Sequence, residues 1–388
     1  MSQRPVTGPV LDGSSACDAT LTTPPRRVGV TGVVVVLALL VAGLLWAKWL
    51  PYAERTRTLS ATGAWSGSAI FGTSGQPGSA PSVAGALDFT RAYAAAVWKA
   101  ALVALVVAAA IESLVPRRWF VQLMSRRSAA GQGVMGAALS LPSMMCTCCT
   151  SPVAIGLRRK GAPIGASVAY WLGNPLLNPA VLVFLALTLP WQLVAVRAVV
   201  GVVLVVGAAV AAAAVAGRVR GSDEPEPEVS PVRTRSSWLG APPGAEGDAT
   251  QVRELPLRFA RTLARYVLVL VPEYLVLVLL TGWLSGWLSD FAGLDRAAGP
   301  VALLVVGLVG AALVIPTGGE IPVVAGLVSA GAGFGVVGVL LITLPALSIP
   351  SILMVARTFS WRVTAAVTSV VVAGGLVAGV ALQLAPVG

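Results

Sequence analysis

Long apolar runs, more than any motif, restrict what this chain can fold into. Residues 28–50, 89–115, 162–189, 191–216, 258–288, 335–356 and 361–384 are built mainly from Val, Leu, Ala and Gly. Each reaches the ~18 residues that a helix needs to cross a bilayer. Over the chain 56% of residues are hydrophobic and only 11% are charged, and the mean hydropathy is +0.84, beyond what a soluble domain of 388 residues carries. The runs are continuous rather than alternating, which argues against a transmembrane β-barrel. The expected fold is all-α and polytopic, with the lipid bilayer as partner and the cell inner (plasma) membrane as location.

The net charge of +11 falls on arginines placed between the apolar runs. That is the pattern of topology signalling. No basic patch is interleaved with aromatics, so nucleic acid is not expected as a partner. Read in order, residues 1–27 are a polar, disordered cytoplasmic tail. Residues 28–50 follow Arg26-Arg27; they run too long and begin too late for a signal peptide and read as an N-terminal transmembrane anchor. Residues 51–88, rich in Gly, Ser and Pro, read as a flexible external loop. A charged, Pro-rich cytoplasmic linker, 217–257, separates one half, 89–216, from another, 258–388.

Two short apolar segments are interrupted by polar tips. Residues 131–141 lead into Pro142-Ser143-Met144-Met145-Cys146-Thr147-Cys148-Cys149-Thr150-Ser151-Pro152, and 153–157 follow. Residues 300–315 lead into Pro316-Thr317-Gly318-Gly319-Glu320-Ile321-Pro322, and 323–329 follow. Basic residues flank the first unit on both sides, so both its ends belong on one membrane face. Each unit reads as a re-entrant broken hairpin, with irregular backbone tolerated at membrane depth because protein or a wet cavity surrounds it. The span 162–189 carries Asn174-Pro175 and Asn178-Pro179, and its prolines must open backbone hydrogen bonds.

A shift of 170 residues superposes the halves: Pro152-Val153 falls on Pro322-Val323, Gly156-Leu157 on Gly326-Leu327, Gly161-Ala162 on Gly331-Ala332, Gly165 on Gly335 and Pro175 on Pro345. With the N-terminus in the cytoplasm, Arg117, Arg118, Arg126, Arg127, Arg158, Arg159, Lys160 and the basic linker all lie inside, whereas Asp290 and Asp295 lie outside. The halves then have opposite topology, the inverted repeat of many secondary transporters. Seven full spans and two hairpins result.

A hydroxyl residue before Pro152 marks a helix start there, with the positive helix end facing Cys146, Cys148 and Cys149 and favouring their ligating thiolates. With no histidine in the chain, thiols alone suit a soft metal or metalloid. The same cysteines also fit as small packing residues. A redox pair is disfavoured, because the spacing is not taken as the C-x-x-C of thioredoxin-like sites. Met144 and Met145 read as apolar filler. Among the intramembrane acids, Glu320 is the first candidate for proton coupling and Glu273 the second, while Glu112 pairs with Arg117 or Arg118. Asn174 and Asn178 break the span and can also contact a solute.

Cys146-Thr147-Cys148, the segment from Pro152 through Ala166, and Asn178-Pro179 resemble the predicted permease family that includes bacterial organoarsenical efflux permeases. The segment from Ile321-Pro322 to Pro350 is similar to that family's second repeat. The resemblance covers roughly 90–216 and 258–384. It implies export of trivalent organoarsenicals such as methylarsenite, recognised by cysteine thiols. Two departures stand out: Cys149 occupies a position expected to be small, and Ser143-Met144-Met145 follow Pro142.

The expected protein is a permease, not an enzyme, without a cofactor; the absence of a P-loop leaves a gradient or another subunit as the energy source. Its solute site is Cys146, Cys148, Cys149, Asn174 and Asn178. The alternatives are a permease for another soft metal or a small sulfur compound, or a membrane thiol-redox protein. A homo-oligomer stays open.

Overall fold

A computed structural model describes residues 26–62, 80–116, 124, 128–220, 252–288, 299–329 and 331–384. Arg117, Arg118, Arg126, Arg127, Asp290 and Asp295, the polar tail up to residue 25 and most of the linker lie outside the described residues. Every regular element among the described residues is helical. Six helices are long and apolar enough to cross a membrane, or seven when one bent pair counts as a span.

The first helix, α1 (Arg26–Leu44), passes through one π turn (Leu45–Trp49) into α2 (Leu50–Thr62) without a break. Residues 51–62 of the expected loop are therefore helical. Leu59 on this extension is buried against Val181, Phe184 and Leu185, so packing overrides the polar composition.

Two groups of helices follow with one shared order. The first comprises α3 (Val83–Leu114), α4 (Ala129–Ser140), α5 (Thr147–Arg159), α6 (Ile164–Leu176), α7 (Pro179–Thr188) and α8 (Trp191–Arg220). The second comprises α9 (Leu255–Leu288), α10 (Pro300–Ala312), α11 (Glu320–Ser329), α12 (Phe334–Ala346), α13 (Ile349–Phe359) and α14 (Trp361–Leu384).

Contacts fix the directions within each group. Gly136 of α4 lies against Ala166 and Ala169 of α6, and Gly173 of α6 lies against Ala137 and Ser140. Residue numbers rise together, so α4 and α6 are parallel. The turn joining α5 to α6 is tight: Gly161 has φ 91 and Ala162 N–H reaches back to Leu157 O at 3.1 Å. A left-handed glycine closing such a helix end needs no Cβ. Helix α5 therefore runs antiparallel to α4, and the outer ends of both lie at one level. The second group repeats this. Gly307 and Gly310 of α10 meet Val339 and Leu340 of α12, Gly331 has φ 74, and Ala332 N–H reaches Leu327 O at 2.9 Å.

The long helices that open the two groups pack in opposite directions. Gly282, Tyr274 and Tyr266 of α9 meet Phe89, Tyr93 and Glu112 of α3 respectively. One series descends as the other climbs.

Both broken spans owe their breaks to proline and to a capping side chain. Asn178 caps α7 by accepting from Ala180 N–H at 3.1 Å and Val181 N–H at 3.3 Å, with Pro179 at the first helical position. Ser348 caps α13 through a capping box with Ser351, and the pair α12–α13 bends by 54°. Helix α12 packs so closely on α14 that a Cβ on Gly338 would stand 2.6 Å from Ala378 O and 2.7 Å from the Gly379 Cα. Gly207 of α8 has nothing within 4 Å of its missing Cβ. Gly338→Val should cost about 1–3 kcal/mol by overpacking and lower the melting temperature of the detergent-purified protein, whereas Gly207→Val should leave it unchanged; thermal unfolding of both variants checks this.

Candidate functional site

The two tips and the two breaks meet. At the first tip, helix α5 starts at Thr147 and not at Pro152, as the hydroxyl-proline pair suggested. Cys146 is the N-cap in extended backbone, φ −76 and ψ 165, and its carbonyl accepts Thr150 N–H at 3.1 Å. Pro152 falls inside the helix; having no N–H, it leaves the Cys148 carbonyl without its helical donor. Near this start Thr150 Oγ1 and Ser151 Oγ both donate to Thr147 O at 2.9 Å.

This start sorts the three cysteines. Cys146 and Cys149, one helical turn apart, bring their sulfurs to 3.2 Å. Cys148 points elsewhere: its sulfur lies 3.4 Å from Tyr93 Oη and 3.4 Å from Ser348 Oγ. Tyr274 Oη donates to Tyr93 Oη at 3.0 Å. A chain of polar groups thus runs from α9 through α3 and the first tip to the cap of α13. All three thiols are free and buried. Among the described residues no three His, Cys, Asp or Glu side chains are placed to hold a metal ion. Cys148, Cys149 and Pro152 line a cavity of about 50 Å³ with Ala104, Tyr274 and Met354, enough for a few water-sized molecules.

The tip backbone is held from the first broken span. Asn174 Oδ1 accepts from Ser143 Oγ and from Met145 N–H, the latter at 3.3 Å, while its Nδ2 donates to Tyr170 O at 3.0 Å. These bonds hold Met144 in a left-handed conformation, φ 47, which is uncommon for a residue with a side chain. Asn178 spends its oxygen on the α7 cap, and its buried Nδ2 has no protein partner.

At the second tip, Glu320 opens α11 and meets an arginine that sequence reasoning passed over. Arg197 Nη2 lies 2.8 Å from Glu320 Oε1, with both side chains buried. The same guanidinium donates to Pro175 O at 2.9 Å, Leu176 O at 3.4 Å and Leu341 O at 3.3 Å. Two of these carbonyls lack helical donors because Pro179 and Pro345 stand four residues on. The third was released by the break before α7. Glu320 Oε2 has no protein partner. A lone charge in the apolar run 191–216 was the signal for Arg197, since such a group needs a partner.

The N-terminal helix also reaches both tips. Lys48 Nζ donates to Tyr52 Oη at 3.0 Å and Thr317 Oγ1 at 3.1 Å, and Trp49 Nε1 donates to Pro142 O at 2.9 Å. Both residues belong to the π turn, a local widening of the helix that often marks functional positions. Lys48 too was a lone charge in an apolar run; nothing in the sequence singled out Tyr93 or Ser348.

The other acids sit away from the tips. Glu273 pairs with Arg357 at 2.8 Å. Glu112 accepts from Tyr266 Oη at 2.5 Å and lies 3.8 Å from Arg159; the expected partners Arg117 and Arg118 are outside the described residues.

A model of the predicted permease family matches residues 82–384. This chain belongs to that family. The permease is also 35% identical over 341 residues to the UPF0718 protein YraQ of Escherichia coli (strain K12), covering 87% of this chain and 91% of that protein. No solved structure matches it. The family match begins at residue 82, so the helix carrying Lys48 and Trp49 lies before it. It is a multi-pass membrane permease.

Removing one partner of a buried ion pair leaves the other charge uncompensated, at a cost of about 3–5 kcal/mol. Arg197→Met also abandons three carbonyls and should destabilise the permease by at least that much. Adding Glu320→Leu should recover part of the loss. Thermal unfolding of the single and double variants measures both effects.

Proposed function

We propose that this permease exports a thiophilic solute, with trivalent organoarsenicals such as methylarsenite as the leading cargo. The observation that carries the reading is the Cys146–Cys149 sulfur pair, 3.2 Å apart, at the meeting point of two broken hairpins and two broken spans. Soft thiolates select soft metals and metalloids. With metal–sulfur bonds of about 2.3 Å, two sulfurs at this separation can chelate one atom. Methylarsenite carries two exchangeable hydroxyls on arsenic. Each thiol replaces one, its proton leaving with the hydroxyl as water, and the reverse reaction releases the solute. In this reading Cys146 and Cys149 are the chelating pair among the three cysteines that the sequence offered together. Asn174 holds the tip that presents the thiols.

Alternating access supplies the transport step. Shared element order, parallel α4–α6 and α10–α12 pairs, and antiparallel α3 and α9 all support an inverted repeat with the hairpins entering from opposite faces; the placement of the basic residues supports a cytoplasmic N-terminus. Rocking one half against the other exposes the tips first to one side and then to the other. Glu320, whose second oxygen has no protein partner, is the proton-coupling candidate; Glu273 is the second, and likewise has one unpartnered oxygen. A related soft metal or small sulfur compound is the second reading, favoured by the extra thiol at Cys149.

Arsenic-sensitive cells expressing the permease should accumulate several-fold less methylarsenite than cells without it. Cys146→Ser and Cys149→Ser, at equal membrane abundance, should abolish the difference, and Cys148→Ser should keep part of it. Unchanged accumulation with the wild type removes arsenic as the cargo.

A further inference from the structure

The structure brings out a register that the linear reading of the cysteines missed. Cys146-Thr147-Cys148-Cys149 contains C-x-x-C, from Cys146 to Cys149. The expectation that the spacing is not C-x-x-C was wrong for this pair. Its geometry is also that of a reactive dithiol. Cys146 is the N-cap of α5 in extended backbone, and Cys149 stands in the first turn. Their sulfurs are 3.2 Å apart, against about 2.05 Å in a disulfide, so side-chain rotation of about one ångström closes the gap. Cys148 lies between them in sequence but is turned towards Tyr93 and Ser348.

We propose that Cys146 and Cys149 are a redox-active dithiol that hydrogen peroxide converts reversibly to an intrahelical disulfide. Three features favour it. Cys149 lines the cavity of about 50 Å³, which admits a molecule little larger than water. Thiol oxidation proceeds through a thiolate, at helix N-termini and beside lysines above all. Here positive potential comes from the N-terminus of α5 and from the buried Lys48 ammonium, which acts electrostatically on both sulfurs. Among the described residues Lys48 forms no ion pair with a carboxylate; its partners are the Tyr52 and Thr317 hydroxyls.

The reaction balances with peroxide as the oxidant. One sulfur of the pair attacks a peroxide oxygen; the S–O bond forms, the O–O bond breaks, and the departing hydroxide takes up that thiol's proton to become water. The other sulfur then attacks the sulfenic sulfur; the S–S bond forms, the S–O bond breaks, and a second water leaves with the second thiol's proton. Two thiols lose two electrons and two protons, and one peroxide becomes two waters. A dithiol reductant reverses the change. Cys148 remains as the free thiol of the tip. None of this depends on which solute the permease carries.

The test uses the full-length permease in native membranes, treated with hydrogen peroxide, alkylated and analysed by peptide mass spectrometry. The peptide carrying Cys146, Cys148 and Cys149 should lose two hydrogens and two alkylation sites together, and dithiothreitol should restore both. Cys148→Ser should keep this loss; Cys146→Ser and Cys149→Ser should abolish it. Retention of the cross-link in either of those two variants, or full alkylation of the wild type after peroxide, overturns the proposal. The wild-type result is decisive even where a variant fails to fold.

Discussion

One guanidinium sits where four breaks in regular structure converge. A bilayer offers no water to a carbonyl that has lost its helical donor, so each must be met from within the protein. Prolines release Trp171 O, Pro175 O and Leu341 O by standing four residues further on. Thr150 Oγ1 of the first hairpin reaches Trp171 O at 3.4 Å, and Arg197 reaches the other two at 2.9 and 3.3 Å. Thr147 Oγ1, at the first tip, donates to Pro345 O at 2.5 Å. The broken spans are thus completed by side chains from other elements, and the hairpin tips are held by the same bonds. Arg197 can be buried only because Glu320 neutralises it and the carbonyls take its remaining donors.

The links between the halves at the tips are few and directional. Thr147 to Pro345, Cys148 to Ser348, and Arg197 to Leu341 and Glu320 each cross from one group of helices to the other. Elsewhere the halves pack closely on each other, Gly282 of α9 against Phe89 of α3 and Gly374 of α14 against Leu204 of α8. The N-terminal helix adds a further constraint, since Trp49 holds the first tip and Lys48 the second. Its π turn places both residues on the side facing the tips.

Much of this was legible in the sequence, and the failures have physical causes. Apolar runs announced the spans because the bilayer leaves few alternatives. The two tips and the shared register of Gly161 with Gly331 and Pro175 with Pro345 were visible because turns and breaks demand specific residues. The start of α5 was misplaced because proline is a strong local signal, although a proline inside a helix removes one backbone donor and need not stand at the first position. That misplacement hid the Cys146–Cys149 pair, since only a helix beginning at Thr147 stacks them one turn apart. The helical stretch to Thr62 was read as loop because its polar composition outweighed the burial of Leu59, which depends on contacts distant in sequence. Arg197 and Lys48 were each visible as a lone charge, but Glu320 and Thr317, which they meet at the second tip, lie more than a hundred residues away.

The account stands on two hairpins that enter from opposite faces and meet at their tips. The measurement that tests it most directly is labelling with a membrane-impermeant maleimide of Lys160→Cys, at the outer end of the first hairpin, and Ser329→Cys, at the outer end of the second. The account predicts that Ser329→Cys reacts in intact cells and Lys160→Cys only in inverted vesicles. Labelling of both from the same side would contradict it.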